Sequence, residues 1–283
     1  MTDLVVDHAP ALRAAFDRLA TARIVFFAGL PGTGKSLLLH QLAHLAHARG
    51  RVVHLLQWDV VRPAFEARSA AARYPIVDGV THAVIRRAVG LWVRGAIVRW
   101  TSQHAGPEHL LIGETPFVGN RFIELARREG DEAEGLLASP ACRFVLPVPS
   151  RAVRAFLESE RARRAAEPIH EREREDAPPA VLQALWRHLA DVGRELGVGD
   201  GGAAYDPDVY RAVYARVMRH RPVDVLAIDT VLPTRALSVY DFAVPRRDVL
   251  PEAHEPDRFI AEVERRYPDP SALAREVERW WEV

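Results

Sequence analysis

Two residue types are nearly missing from this chain. Among 283 residues Cys142 is the only cysteine, which excludes a disulfide framework and any cysteine-based zinc site. Lys35 is the only lysine; the other 37 of the 38 basic residues are arginine. Net charge is also missing, because 38 acidic residues cancel the 38 basic ones. Bulk charge therefore gives no hold on a polyanion, and a nucleic-acid partner is not expected. Nor is there a long apolar run. The most apolar helical pattern, 81–104, is interrupted by Arg86, Arg87, Arg94 and Arg99 and cannot span a bilayer. The first twenty residues carry Asp3, Asp7, Arg13, Asp17 and Arg18 and show no signal-peptide pattern. The expectation is a cytoplasmic protein with no membrane partner.

What is present is an alternation of two periodicities. Apolar runs at 23–28, 52–58, 109–112, 143–146 and 223–228 read as buried strands. Helical patterns fill the gaps, at about 36–49, 81–104, 118–129, 151–164, 180–196 and 207–220. Such alternation predicts βαβ units, an α/β fold and a mainly parallel sheet covered on both faces. The stretch 158–179 is dense in charge, ends in prolines and should be exposed. Asp269-Pro270 opens a last helix with Leu273, Val277 and Trp280 on one face.

The strongest local signal is Gly29-Leu-Pro-Gly32-Thr33-Gly34-Lys35-Ser36, which fits G-x-x-x-x-G-K-[ST] in full. It follows an apolar strand and opens a helix, the context in which such a loop cradles phosphate. Gly29, Gly32 and Gly34 permit the backbone angles that turn N–H groups inward, and the helix start adds its dipole. Lys35 is placed to reach the β and γ phosphates of ATP or another NTP, and Ser36 to hold Mg²⁺. A compact ammonium suits that task better than a planar guanidinium, which explains why the only lysine stands here.

The remaining charged candidates lie just past strand ends, where ligands bind in open α/β sheets. Asp59 and Arg62 follow the second strand, Glu114 and Arg121 the third, and Arg151, Arg154, Arg161, Arg163 and Arg164 the fourth. Each also has a plainer reading. Asp59 could cap a helix, Arg121 could pair with a surface acid, and most of the 158–174 charges could form a solvated face. His40, His44 and His47 share one helix face and read as a polar outer stripe, with a metal site as the rival. Trp58, Trp92 and Trp100 read as core.

With these residues the chain resembles the P-loop kinases of small molecules, the nucleoside, nucleotide and zeta-toxin-like group, over roughly 22–235. Glu114 with Arg121-Phe122 keeps the glutamate-to-arginine spacing of deoxynucleoside kinases, although Thr115 and Pro116 replace their arginine and serine. The stretch LLIGETPFVGNR is loosely similar to the D-G-F-P-R segment of adenylate-type kinases. Asp59 with Arg62 resembles the D-x-x-R arrangement of zeta-like and antibiotic phosphotransferases.

The resemblance implies a three-layer P-loop NTPase fold with a parallel five-stranded sheet of order 2-3-1-4-5. It also implies a lid at 151–179 and a helical extension, 236–283, packed on the 1–235 domain. It implies an ATP- and Mg²⁺-dependent kinase acting on a small-molecule acceptor, a nucleoside or nucleotide first. Catalytic roles fall to Lys35, Asp59, Glu114 and Arg161, and nucleotide binding to Gly29, Gly32, Thr33, Gly34, Lys35 and Ser36. Asp59, Arg62 and Arg121 would hold the substrate, and Ser36 and Glu114 the Mg²⁺. Two rival functions stay open, an ATPase switch with a protein partner and a polynucleotide 5′-hydroxyl kinase. The Trp-bearing helix 81–104 would suit a homodimer interface as well as it suits a core.

Overall fold

The computed structural model describes residues 4–68, 72–77, 79–234, 237–241 and 244–283. Its centre is β1 (Ile24–Ala28), whose five residues are all buried. Successive side chains of a strand point to opposite faces, so β1 feeds two cores. Ile24, Phe26 and Ala28 enter one apolar cluster, and Val25 and Phe27 the other.

The second cluster is closed by α1 (Pro10–Leu19) and α2 (Lys35–Ala48). The first is closed by α3 (Trp58–Glu66), α4 (Ala83–Gln103), α7 (Pro179–Glu195), α8 (Pro207–Val217), α9 (Glu255–Arg266) and α10 (Pro270–Glu278). Helices therefore cover both faces of the sheet, as its near-continuous apolar strands require. Trp58, Trp92 and Trp100 are buried core, as expected. No helix among the described residues is long and apolar enough to cross a membrane.

All strand pairs are parallel. The other strands are β2 (Val52–Gln57), β3 (His109–Thr115), β4 (Cys142–Pro149), β5 (Val223–Ile228) and β6 (Arg246–Asp248). The expectation of five strands in order 2-3-1-4-5 is corrected. Among the described residues the sheet has six, in order β5-β4-β1-β3-β2-β6. The extra strand is the exposed tripeptide Arg246-Arg247-Asp248, which pairs with Val53–Leu55 at the β2 edge. An edge strand that is polar on both faces carries no apolar alternation to betray it. The expected helical extension thus also supplies a strand, while its α9 packs on α4 and its Trp280 is fully buried. Asp269 caps α10 through the amide of Ser271, with Leu273 and Val277 buried, as the pattern implied.

A second correction concerns 118–129, expected as a helix. Only a 3₁₀ turn, Ile123–Leu125, forms there, and α5 (Glu132–Leu137) follows. Phe117, Asn120 and Phe122 all take left-handed backbone angles, which no α-helix tolerates. The carbonyls that a helix would have paired are taken by arginines instead. Arg94 donates to those of Glu124 and Arg127, and Arg221 to those of Leu125 and Arg127. The apolar periodicity of Val118, Phe122, Ile123, Leu125 and Ala126 is real, but it serves a buried loop.

The histidine stripe on α2 also departs from expectation. His47 is exposed, whereas His40 is buried, and its Nδ1 has no hydrogen-bond partner among the described residues. Burial, with Arg246 and His44 adding to it, pushes the His40 imidazole down to about 4. Between about 6.5 and 4 the unfolded chain takes up a proton here that the folded chain refuses. Stability should therefore fall as pH drops through that window, by on the order of 2 kcal/mol from this residue at pH 5. Urea unfolding at pH 7.5 and pH 5 checks this, because a His40→Gln chain should lose less stability than wild type. Equal losses would contradict it.

Candidate functional site

The site forms where β1 ends between β3 and β4. The register sets Phe27 beside Glu114 and Ala28 beside Thr115, so the loop leaving β1 emerges next to the glutamate. Gly29, Gly32 and Gly34 have φ of 134°, 75° and 84°, all in the region that favours glycine. Gly29 has a second constraint, since a Cβ there would lie 2.0 Å from the Tyr210 hydroxyl. Thr33 is buried and donates from its hydroxyl to the Leu30 carbonyl at 2.9 Å. The loop is thereby pinned from beneath by α8 and from within by its own threonine.

Lys35 opens α2 and is 3% exposed. Its ammonium donates to the Leu30 carbonyl at 2.8 Å and lies 3.6 Å from Glu114 Oε1. Burial pushes this ammonium's pKa down, against the opposing pull of Glu114 and Asp59. Ser36 donates its hydroxyl to Glu114, at 3.2 Å from Oε1 and 3.1 Å from Oε2. Lysine, serine and glutamate thus converge at one point above the sheet. A hydroxyl beside a carboxylate is a hard oxygen donor pair of the kind that suits Mg²⁺.

The structure gives a definite place to a residue that the sequence names past the fourth strand without assigning it a role. Arg154, in the first turns of α6 (Arg151–Ala166), is 1% exposed and reaches back to the loop. Its Nη1 donates to the carbonyls of Pro31 and Gly32 at 3.2 and 3.1 Å, and its Nε to Glu158 at 2.7 Å. Its Nη2 has no partner among the described residues. A buried guanidinium with an unspent donor beside this loop suits a phosphate oxygen. The available signal was position, since Arg154 falls one turn past the end of the fourth strand.

The other expected residues divide into two groups. Asp59 lies exposed in the first turn of α3 and caps nothing, the N-cap position being Gln57 with no side-chain cap bond. It has no ion-pair partner among the described residues, yet it acts electrostatically on both Lys35 and Arg121. Arg121 ends the left-handed turn after β3, with its own carbonyl held by the Thr115 hydroxyl at 3.0 Å. Burial pushes its guanidinium's pKa down, Asp59 opposes that, and Arg62 adds to it. Asp59 and Arg62 therefore both lie within electrostatic reach of Arg121. Arg62 is also tied to Glu66 at 2.7 Å.

The lid candidates are engaged elsewhere. Arg161 is ion-paired with Asp176, and Arg164 with Glu173 at 2.6 Å while also donating to the Thr234 and Leu237 carbonyls. Arg163 pairs with Glu160. The segment expected to be exposed includes buried Glu160 and Glu173.

Arg154 should be the residue that keeps the loop in shape. An Arg154→Lys chain retains the charge but not the forked contacts, and is expected to lose about 1–3 kcal/mol of stability. Its Gly32–Ser36 amides should exchange with solvent faster than in wild type. Unchanged amide exchange would show that the loop stands without it.

Comparison of the chain with family models, with curated proteins and with solved structures returned no match. The functional reading therefore rests on the geometry of Lys35, Ser36, Glu114 and Asp59.

Proposed function

We propose that this chain is an ATP- and Mg²⁺-dependent phosphotransferase that moves the γ-phosphate to a hydroxyl of a small molecule, with nucleosides and nucleotides as the favoured acceptors. One observation carries the reading. The complete glycine-lysine-serine loop lies at the end of a central parallel strand with Glu114 on the neighbouring strand in contact with both Lys35 and Ser36. The residues fit a triphosphate: left-handed glycines, an unspent Arg154 donor and a hydroxyl-carboxylate pair.

The nucleotide and Mg²⁺ would supply the transferable phosphoryl group and the neutralisation of its charge. The chain's own residues do the rest. Backbone N–H groups of Gly29–Ser36 and the start of α2 hold phosphate oxygens. Lys35, now on the Leu30 carbonyl, would hold the β and γ phosphates, and Ser36 and Glu114 would hold the metal ion. Asp59, free of ion pairs among the described residues, accepts the proton of the acceptor hydroxyl as that oxygen bonds to phosphorus and ADP leaves. Arg121 and Arg62 clamp the acceptor, most effectively an anionic one. Arg161 would have to leave Asp176 to reach the phosphates, which makes Arg154 the better placed arginine.

The test is transfer from γ-labelled ATP to pooled acceptors: nucleosides, nucleoside monophosphates, sugars, amino sugars and 5′-hydroxyl RNA. Label should appear in the nucleoside or nucleotide pool. Lys35→Ala and Asp59→Asn should each lower kcat by at least ~100-fold while the fold survives. Label found only as free phosphate in every pool would refute a kinase and favour an ATPase. Full activity in Asp59→Asn would remove that residue from the machinery.

A further inference from the structure

At the other end of the sheet, toward the N-terminal ends of β2 and β3, three histidines meet that are far apart in the chain. His54 comes from β2, His109 from the start of β3, and His104 from the residue ending α4. One ring nitrogen from each lies within 4.8 Å of the others, and among the described residues no other group of histidines, cysteines and carboxylates gathers this way. His54 Nε2 and His109 Nδ1 are 3.1 Å apart. Ligand nitrogens on a tetrahedral Zn²⁺ with bonds of about 2.0–2.1 Å sit about 3.3 Å apart, so this pair is already at chelating distance. The His104 ring lies 4.3 Å from that of His54 and 4.7 Å from that of His109, centre to centre.

We propose that His54, His104 and His109 form a binding site for a divalent transition-metal cation of the Zn²⁺ class. Hydrogen bonding accounts for only two of the three rings, since His54 Nε2 and His109 Nδ1 are within bonding distance of each other. Neutral imidazole has one donor and one acceptor nitrogen. Glu108 Oε1 lies 3.3 Å from His109 Nε2, behind the ring, while His109 Nδ1 meets His54 Nε2. A carboxylate behind a ligating histidine is the usual outer-shell device for fixing ring orientation. Neither ring nitrogen of His104 has a hydrogen-bond partner among the described residues, so its lone pair is unspent. His54 is 2% exposed and the other two are half-buried, which gives a low-dielectric site with one open side.

That side opens on a cleft of about 240 Å³ lined by His54, Trp100, His104, Arg247 and Asp248, among others. Three imidazoles and an open fourth position make a donor set that leaves room for water or an exogenous ligand. The nearby cation Arg23 is turned away, its guanidinium stacked 4.6 Å over Trp100 and donating to the Gly106 and His109 carbonyls. Arg247 and Arg23 act electrostatically on the His54 and His104 rings and favour their neutral, ligating form. Imidazole nitrogens select Zn²⁺, Cu²⁺ or Ni²⁺ over Mg²⁺, so this site is chemically separate from Ser36 and Glu114.

Calorimetric titration of the metal-stripped full chain with Zn²⁺ tests the proposal, with Co²⁺ absorption as a second readout of coordination. One equivalent should bind, excess Mg²⁺ should not compete, and bound Co²⁺ should give the intense visible bands of a tetrahedral site. His104→Ala should weaken binding at least ~100-fold, and Glu108→Gln about 10–100-fold. His47→Ala, on the exposed face of α2, should bind as wild type does. Glu108 is exposed, so its variant remains informative if His104→Ala fails to fold. The proposal is overturned if wild type binds less than one equivalent, if Glu108→Gln and His104→Ala bind normally, or if His47→Ala abolishes binding.

Discussion

The site depends on one buried ammonium. An unpaired charge taken out of water costs several kcal/mol, so Lys35 can be 3% exposed only because its neighbours meet it. The Leu30 carbonyl and Glu114 do so at 2.8 and 3.6 Å. These contacts depend on the β1–β3 register that sets Glu114 beside β1 and on the inward turn of the loop at Leu30. They also make the loop responsive. On the proposed reading, phosphate is the stronger partner and displaces the carbonyl, which frees Glu114 to face a metal ion together with Ser36.

A second set of buried charges shapes the side where the proposed acceptor would sit. Arg94 and Arg221 take the carbonyls of Glu124, Leu125 and Arg127, and Arg87 pairs with buried Glu124 at 2.7 Å. This network holds the chain after β3 out of helical form, with Phe117, Asn120 and Phe122 in left-handed backbone conformations. Non-glycine residues in that conformation cost about 1–3 kcal/mol each and persist only where their surroundings overdetermine them. Arg121, in this segment, lies within electrostatic reach of Asp59 and Arg62. Arginines do the structural work that a helix ladder would otherwise have done.

Much of this was legible in the sequence, for local reasons. Glycines at left-handed positions and a single lysine announce the loop, and apolar runs announce the five longer strands. The carboxylates followed because ligands gather past strand ends. What escaped detection was non-local. β6 has no apolar face, the arginine-pinned segment mimics helical periodicity, and Arg154 acts across 122 residues on the Gly32 carbonyl. The three histidines become neighbours only through the β2–β3 register and the end of α4, which no spacing rule reveals. Arg246, which acts electrostatically on buried His40, belongs to that same unseen strand, β6.

The central claim is that Ser36 and Glu114 hold a metal ion against phosphates bound by the Lys35 loop. Calorimetric titration with ATP, with and without Mg²⁺, tests this most directly in wild type and in Ser36→Ala. The account predicts that Mg²⁺ tightens ATP binding to wild type at least ~10-fold, about 1.4 kcal/mol, and tightens it far less in Ser36→Ala. Failure of wild type to bind ATP, or equal Mg²⁺ dependence in both chains, would contradict it.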